Sequence, residues 1–195
     1  MARPESFNHE AVLDSVVRVF WRKGYEATSI QDLVEATGLN RSSLYNSFGS
    51  KHQLFLAAID HYLVRVNQER LHKLNTNENA RKALQAYFGD LLAFSVGEGR
   101  ELGCLITNTS VEVAPHNTPI RNKLRQSLRK VEEAFFETIQ RGQAQGTIRT
   151  TGDPRALARF LVGAVQGLRV LARANPDEQV LRDVIEVTLQ ALDPG

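Results

Sequence analysis

An all-α fold of about nine helices is what this sequence predicts, and three observations predict it. Apolar residues recur at i, i+3, i+4 and i+7 along most of the chain, no segment alternates in the manner of a strand, and the stripes break at glycine, proline or Asn/Thr-rich runs. With 195 residues, 42% of them hydrophobic, the chain can bury a sizeable core, which argues against disorder. No internal repeat is visible.

The first helix is expected from about 7 to 23, capped by Ser6, with Leu13, Val16, Val17 and Phe20 on one face and Gly24 as its stop. Thr28 has the residue type of an N-cap, and Gln31 three places on can return a bond to the Thr28 backbone, so a second helix starts there. Ile30, Leu33 and Val34 give it an apolar face. Gly38 ends it, because positive φ carries no Cβ penalty there. Asn40 caps a third helix whose one large apolar anchor in its first turns is Leu44, and Phe48 closes the three-helix unit. After Gly49, the pair Ser50 and Gln53 opens a fourth helix. Its stripe of Leu54, Phe55, Ala58, Ile59, Tyr62, Leu63 and Val66 runs unbroken toward Asn75. At about 1.5 Å per residue this helix exceeds ~30 Å, long enough to link two modules.

Beyond a polar turn at 75–79, Leu84, Tyr87, Phe88, Leu91 and Leu92 mark a fifth helix, and residues 105–113 a sixth after a glycine-bearing loop at 97–103. Pro115 and Pro119 bracket a turn. Thr118 as cap and Pro119 in the first turn start a seventh helix carrying Ile120, Leu124, Leu128, Val131, Phe135 and Ile139. Asp153-Pro154 opens an eighth and Asn175-Pro176-Asp177-Glu178 a ninth, each with a wide apolar stripe.

The third helix differs from the others in presenting almost nothing apolar. Arg41, Ser42, Ser43, Tyr45, Asn46 and Ser47 are polar or amphipathic, which suits a reading head entering a DNA groove better than a core element. No acidic residue occurs from 36 to 59, while Arg41 and Lys51 are present, so this surface does not repel phosphate. Thr28, Ser29, Tyr45 and Lys51 are donors placed near helix starts or on the outward face, where backbone phosphates are gripped. A helical hairpin without any ligand is the competing reading of the same turn.

Residues 20–54 together, with Phe20 and Gly24-Tyr25 ahead of Thr28-Ser29, the turn Ala36-Thr37-Gly38, then Leu44-Tyr45, Phe48, Lys51 and Leu54, resemble the TetR family of bacterial transcriptional regulators. The resemblance implies a helix-turn-helix DNA-binding domain, here residues 1–52, and a C-terminal ligand-binding and dimerisation domain, here 53–195, joined by the helix after Ser50. It places Thr28, Tyr45 and Lys51 at phosphate contacts and Arg41, Ser42, Ser43 and Asn46 around the base-reading surface. Ser43 stands where glycine is frequent, and Asn46-Ser47 replaces a commoner aromatic or histidine pair. Operator sequence is therefore not transferable from a relative. The implied protein is a cytoplasmic, ligand-responsive regulator, most often a repressor in such families, that binds a double-stranded operator.

A single short reading helix covers few base pairs, so useful discrimination requires a homodimer on a palindrome. The last two helices are the expected contact, with Gly163 and Gly167 allowing close approach; packing of these glycines within one subunit is the alternative. The helices between 84 and 139 either fill a solid core or surround a cavity for a small hydrophobic or reactive effector. Phe88 and Phe135 are candidates for its apolar wall, and Asn108, Glu112 and His116 for its polar fixtures. Cys104, at the expected start of a helix, is a candidate reactive thiol, against the commoner inert buried cysteine.

Other classes find little support. One cysteine allows neither an intramolecular disulfide nor a cysteine-rich zinc site, and fits a reducing compartment. No stretch approaches ~18 apolar residues, so no membrane partner is expected. No nucleotide-binding, nucleophile-elbow or zinc-protease motif occurs, so neither enzymatic activity nor a cofactor is expected. On one helix His61 and His72 would stand about 16 Å apart, too far to share a metal ion. A helical protein-interaction module without sequence-specific DNA binding remains the alternative, distinguished by the absence of salt-sensitive binding to a palindrome.

Overall fold

The computed structural model describes residues 7–194, and of residues 66–70 the backbone alone. Among the described residues there are nine α-helices and no strand: α1 His9–Lys23, α2 Ile30–Thr37, α3 Arg41–Phe48, α4 Lys51–Thr76, α5 Ala80–Val96, α6 Leu105–Glu112, α7 Thr118–Ala144, α8 Pro154–Ala174 and α9 Glu178–Gln190. The predicted elements are all present, with three caps displaced. Asn8 caps α1, its Oδ1 accepting from Glu10 and Ala11 N–H; Ser6, the expected cap, and the Val66 side chain lie outside the described residues. Ser29, not Thr28, caps α2, and Asp32, not Gln31, completes the capping box. Ser29 Oγ accepts the Asp32 N–H at 3.1 Å while Asp32 Oδ2 accepts the Ser29 N–H at 2.8 Å. A carboxylate is the stronger acceptor and is favoured by the positive end of the helix dipole. Asn117 takes the place expected of Thr118 at α7.

Two apolar cores organise the chain. The first joins Val12, Val16, Val17 and Phe20 of α1 to Leu33, Leu44 and, on α4, Leu54, Phe55, Ala58 and Ile59. It continues through Cys104, Leu105, Ile106, Val113 and Ala114 around α6 into Ile120 and Leu124 of α7. The N-terminal unit is therefore packed onto α6 directly, through α1, as well as through α4. The second core lies among α5, α7, α8 and α9. Phe88 and Phe135, expected on a cavity wall, are instead fully buried there, their rings parallel to within 10° and Tyr87 meeting Phe135 edge-on at 5.1 Å. Aromatic rings with nothing but apolar neighbours are worth most when close-packed, and a solid core is the result.

The fourth helix spans both cores, contributing Leu54 to one and, about 30 Å further along its axis, Leu74 to the other. Asp14 on α1 accepts from His61 at 2.8 Å and Arg65 at 3.1 Å on α4, and the His61 bond is the main influence holding the Asp14 carboxyl below its ordinary pKa. Lys123 of α7 reaches Asp60 of α4 at 2.5 Å.

Candidate nucleic-acid interface and adjoining cleft

The turn between α2 and α3 is made by Gly38, at φ 69° in the left-handed region, whose N–H returns to the Val34 carbonyl. Asn40 then caps α3 by accepting the Ser43 N–H at 2.8 Å. Leu44, 3% exposed, is the only side chain of α3 fully inside; Arg41, Ser42, Asn46 and Ser47 are exposed, and Ser43 and Tyr45 half-buried. One inward anchor per two turns leaves the opposite face free of the core.

The outward groups are positioned without being consumed. The Arg41 guanidinium lies 5.5 Å from the Tyr45 ring centroid, while Lys51 Nζ sits 4.6 Å from the Tyr25 centroid and 3.5 Å from the Glu26 carbonyl. Among the described residues the side chains of Ser42, Ser43 and Asn46 meet no hydrogen-bond partner. Ser29 is exposed beside them, with its Oγ accepting at the start of α2. Thr28 differs from its predicted role. It is 1% exposed and its hydroxyl donates to the Gly24 carbonyl at 2.6 Å, so it braces the α1–α2 turn and has no free side chain for a phosphate.

That turn is also held from the other side. Glu112, at the end of α6, accepts the Glu26 N–H through Oε1 at 2.9 Å. A Cβ at Gly24 would stand 2.8 Å from the same carboxylate and displace its flexible end, and the φ of 82° at Gly24 is one that L side chains rarely adopt. Neither residue advertises this contact in sequence, because 86 positions separate Glu112 from Glu26.

The expected polar fixtures of a ligand cavity are mostly committed elsewhere. Asn108 donates to the Leu102 carbonyl at 3.0 Å, Glu112 serves the turn, and His116 is exposed beyond α6. Asn108 and Glu112 nonetheless border a cleft of about 450 Å³ with Trp21, Lys23 and Gly24 of the N-terminal unit and Arg169, Val170 and Arg173 of α8. A second, smaller cavity of about 40 Å³ is lined by Tyr62, Tyr87, Cys104, Gln166 and Arg169. Cys104 is buried at the N-cap position of α6. Burial raises its thiol pKa, but the Arg169 charge and donors in the first turn of α6 outweigh this and leave it below the ordinary value. Sequence reasoning missed Arg169 and Trp21, since one of the four arginines of α8 and an aromatic on α1 carry no local sign of where they point.

A helix-turn-helix with a polar outward second helix, mounted on a larger helical unit that contains a cleft, defines the class of DNA-binding regulators with an effector domain. The match with known proteins makes this specific. Residues 12–58 fit the model of bacterial regulatory proteins of the tetR family, and residues 80–188 that of the tetracyclin repressor-like C-terminal domain. The chain is 31% identical over 194 residues to the HTH-type regulator YezE of Bacillus subtilis, covering 99% of this chain and all of that one. It is 32% identical to the HTH-type transcriptional repressor ComR of Escherichia coli, over 96% of this chain and 90% of ComR. Among solved structures, a cysteine mutant of the TetR family regulator CifR complexed with 26-base-pair operator DNA superposes with a TM-score of 0.86 at 30% identity, over 97% of this chain and 99% of CifR. The chain belongs to the TetR family of bacterial transcriptional regulators.

Proposed function

We propose that this protein is a cytoplasmic homodimeric repressor that grips a palindromic operator with α3 and releases it when a small molecule occupies the regulatory unit. The observation that carries this reading is the outward face of α3: Arg41, Ser42, Ser43 and Asn46 stand away from the core without internal hydrogen bonds, flanked by Tyr45, Lys51 and Ser29. Arg41 and Asn46 have the donor patterns that read guanine and adenine edges, whereas Lys51, Tyr45 and Ser29 suit phosphates. Residues 1–52 then act as the reader and 53–195 as the regulatory unit.

The dimer face we assign is the unpartnered side of α8 and α9. Phe160, Val170, Leu171, Val180 and Val187 are exposed, and nothing approaches within 4 Å of a Cβ built at Gly163 or Gly167, so these glycines do not serve packing inside the subunit. Two such faces related by a two-fold axis bury each other's apolar stripe. The paired readers then fall about one helical turn apart, ~34 Å, on successive major grooves.

Release is coupled through two routes: α4, which enters both cores, and Glu112 of α6, which holds the α1–α2 turn. A ligand that favours an arrangement with α6 displaced weakens operator binding by its differential affinity for the two arrangements. The test is a footprint on the DNA upstream of the protein's own coding region, repeated with Arg41→Ala and Asn46→Ala. Protection of a palindrome that both substitutions abolish supports the reading; salt-independent binding, or none to any defined sequence, leaves only a helical interaction module.

A further inference from the structure

Arg169 is 9% exposed, on the inner face of α8 beside Tyr62, Tyr87 and Cys104. Among the described residues it makes no ion pair with a carboxylate, and its Nε and Nη1 are buried without an acceptor. A guanidinium stays protonated under these conditions, so a positive charge is held out of water with Tyr87 as a hydrogen-bond partner, no carboxylate to balance it, and two N–H donors unmet. Trp21 presents a second case: its Nε1 is also buried with no acceptor. Both side chains line the same 450 Å³ cleft, and Arg169 is the one described residue that borders this cleft and the 40 Å³ cavity alike.

The other polar groups of that wall are spent. Thr107 donates to Gln166 at 2.8 Å, Asn108 to Leu102, and Glu112 accepts from Glu26. The charges lining the cleft are Lys23, Arg169 and Arg173 against Glu112 alone, three cations to one carboxylate, with Lys23 itself paired to Asp32 at 2.6 Å. The remaining surface is apolar, from Trp21, Val111, Val170 and Ala174. We propose that the effector is a small organic carboxylate with an apolar or aromatic body, its carboxylate on Arg169 and its body against Trp21 and Val111. A neutral carbonyl can accept from the guanidinium but leaves its buried positive charge uncompensated. A phosphate ion has no body to cover the apolar wall, whereas a planar carboxylate on an apolar body matches the guanidinium fork and that wall together. Trp21 and Lys23 belong to α1, so the same ligand touches the reader's support and the regulatory unit at once. The identification of the site as an effector site rests on the regulator reading above; the ligand chemistry does not.

The experiment uses the full-length protein and measures thermal midpoint and calorimetric binding with phenylacetate, benzoate and hexanoate, each paired with its neutral amide, and with chloride and inorganic phosphate as controls. Carboxylates are expected to raise the midpoint and bind at least about tenfold more tightly than the matched amides, as a charge-assisted bond in a buried site requires. Arg169→Met is expected to abolish that preference while remaining folded, and Trp21→Phe to weaken carboxylate binding with the ring kept in place. Cys104→Ser is expected to leave the preference intact. Equal response to acid and amide, no binding of any carboxylate, or the same shift with chloride alone overturns the proposal, as does loss of the preference in Cys104→Ser with retention in Arg169→Met. Operator binding is measured separately without any compound: its failure with carboxylate binding intact removes the regulator reading and leaves the anion site standing.

Discussion

Two of the solvent-facing helical surfaces of this protein are opposites. The outward side of α3 is built from Arg41, Ser42, Asn46 and Ser47, while the outward sides of α8 and α9 carry Phe160, Val170, Leu171, Val180 and Val187. Each helix is anchored inward in the usual way, by Leu44 in the first case and by Leu161, Val165, Leu168 and Leu181 in the second. What differs is the solvent the free face expects. A polar helix surface loses little when it trades water for phosphates and base edges, whereas a contiguous apolar one is costly until another protein covers it. Under the proposed function, the contrast addresses one face to nucleic acid and the other to a second copy of the chain.

The strongest way to break this comparison is to charge the apolar face. Phe160→Asp with Val187→Asp removes roughly 2–3 kcal/mol of burial at the aromatic alone, counted twice across a two-fold interface. Sedimentation should then find a monomer at concentrations where the native protein is dimeric, and operator affinity should collapse with it. A double variant that still sediments as a dimer reassigns the interface to another surface.

Next in size, Arg41→Ala or Asn46→Ala on the polar face should each cost about 1–3 kcal/mol of operator binding per half-site with no change in thermal midpoint, measured by titrating labelled DNA. Lys51→Gln should weaken all sequences alike and flatten the salt dependence by about one counterion per reader. If the two classes of substitution behave identically, α3 is not the element that discriminates bases.

Glu112→Ala sharpens the comparison by loosening the link between the two regions. It leaves the Glu26 N–H without its acceptor, a loss of roughly 1 kcal/mol, so hydrogen exchange at the Glu26 amide should speed about fivefold while the amides of α8 are unaffected. Unchanged exchange at Glu26 would mean that α6 does not hold the turn.

The smallest effect concerns the start of α2. The hydrogen bond from Lys23, then those from Ser29, hold the Asp32 carboxyl at about 2, below its ordinary 3.8. A depressed acid contributes its stabilisation fully above the ordinary value and loses it as pH falls through about 2, so the capping box should survive mild acid. A carboxyl titration followed by NMR should give a midpoint near 2 for Asp32, moving toward 3.8 in Lys23→Met.

Much of the reader was legible in the sequence because its determinants are local. Asn40 and Ser50 cap the helices they were expected to cap, Gly38 takes the positive φ its turn requires, and Leu44 alone pins α3, all within a few residues of one another. Thr28 gave up the expected cap position for an instructive reason: Thr28 and Ser29 are both eligible caps, and the nearby Gly24 carbonyl and Asp32 decided which one turned inward. Phe88 and Phe135 were eligible for core or cavity alike, and periodicity has no means of separating the two.

The sequence by itself determined the helices, their order and the chemistry of the two free faces, since caps, glycine turns and 3.6-residue stripes act through neighbours along the chain. Only the tertiary structure decided that Arg169 would be buried and the Nε1 of half-buried Trp21 enclosed with donors unmet, and that Glu112 would hold a turn 86 residues away. Those outcomes depend on where helices distant in sequence cross, and burial of a charge is a property of the crossing, not of the residue that carries it.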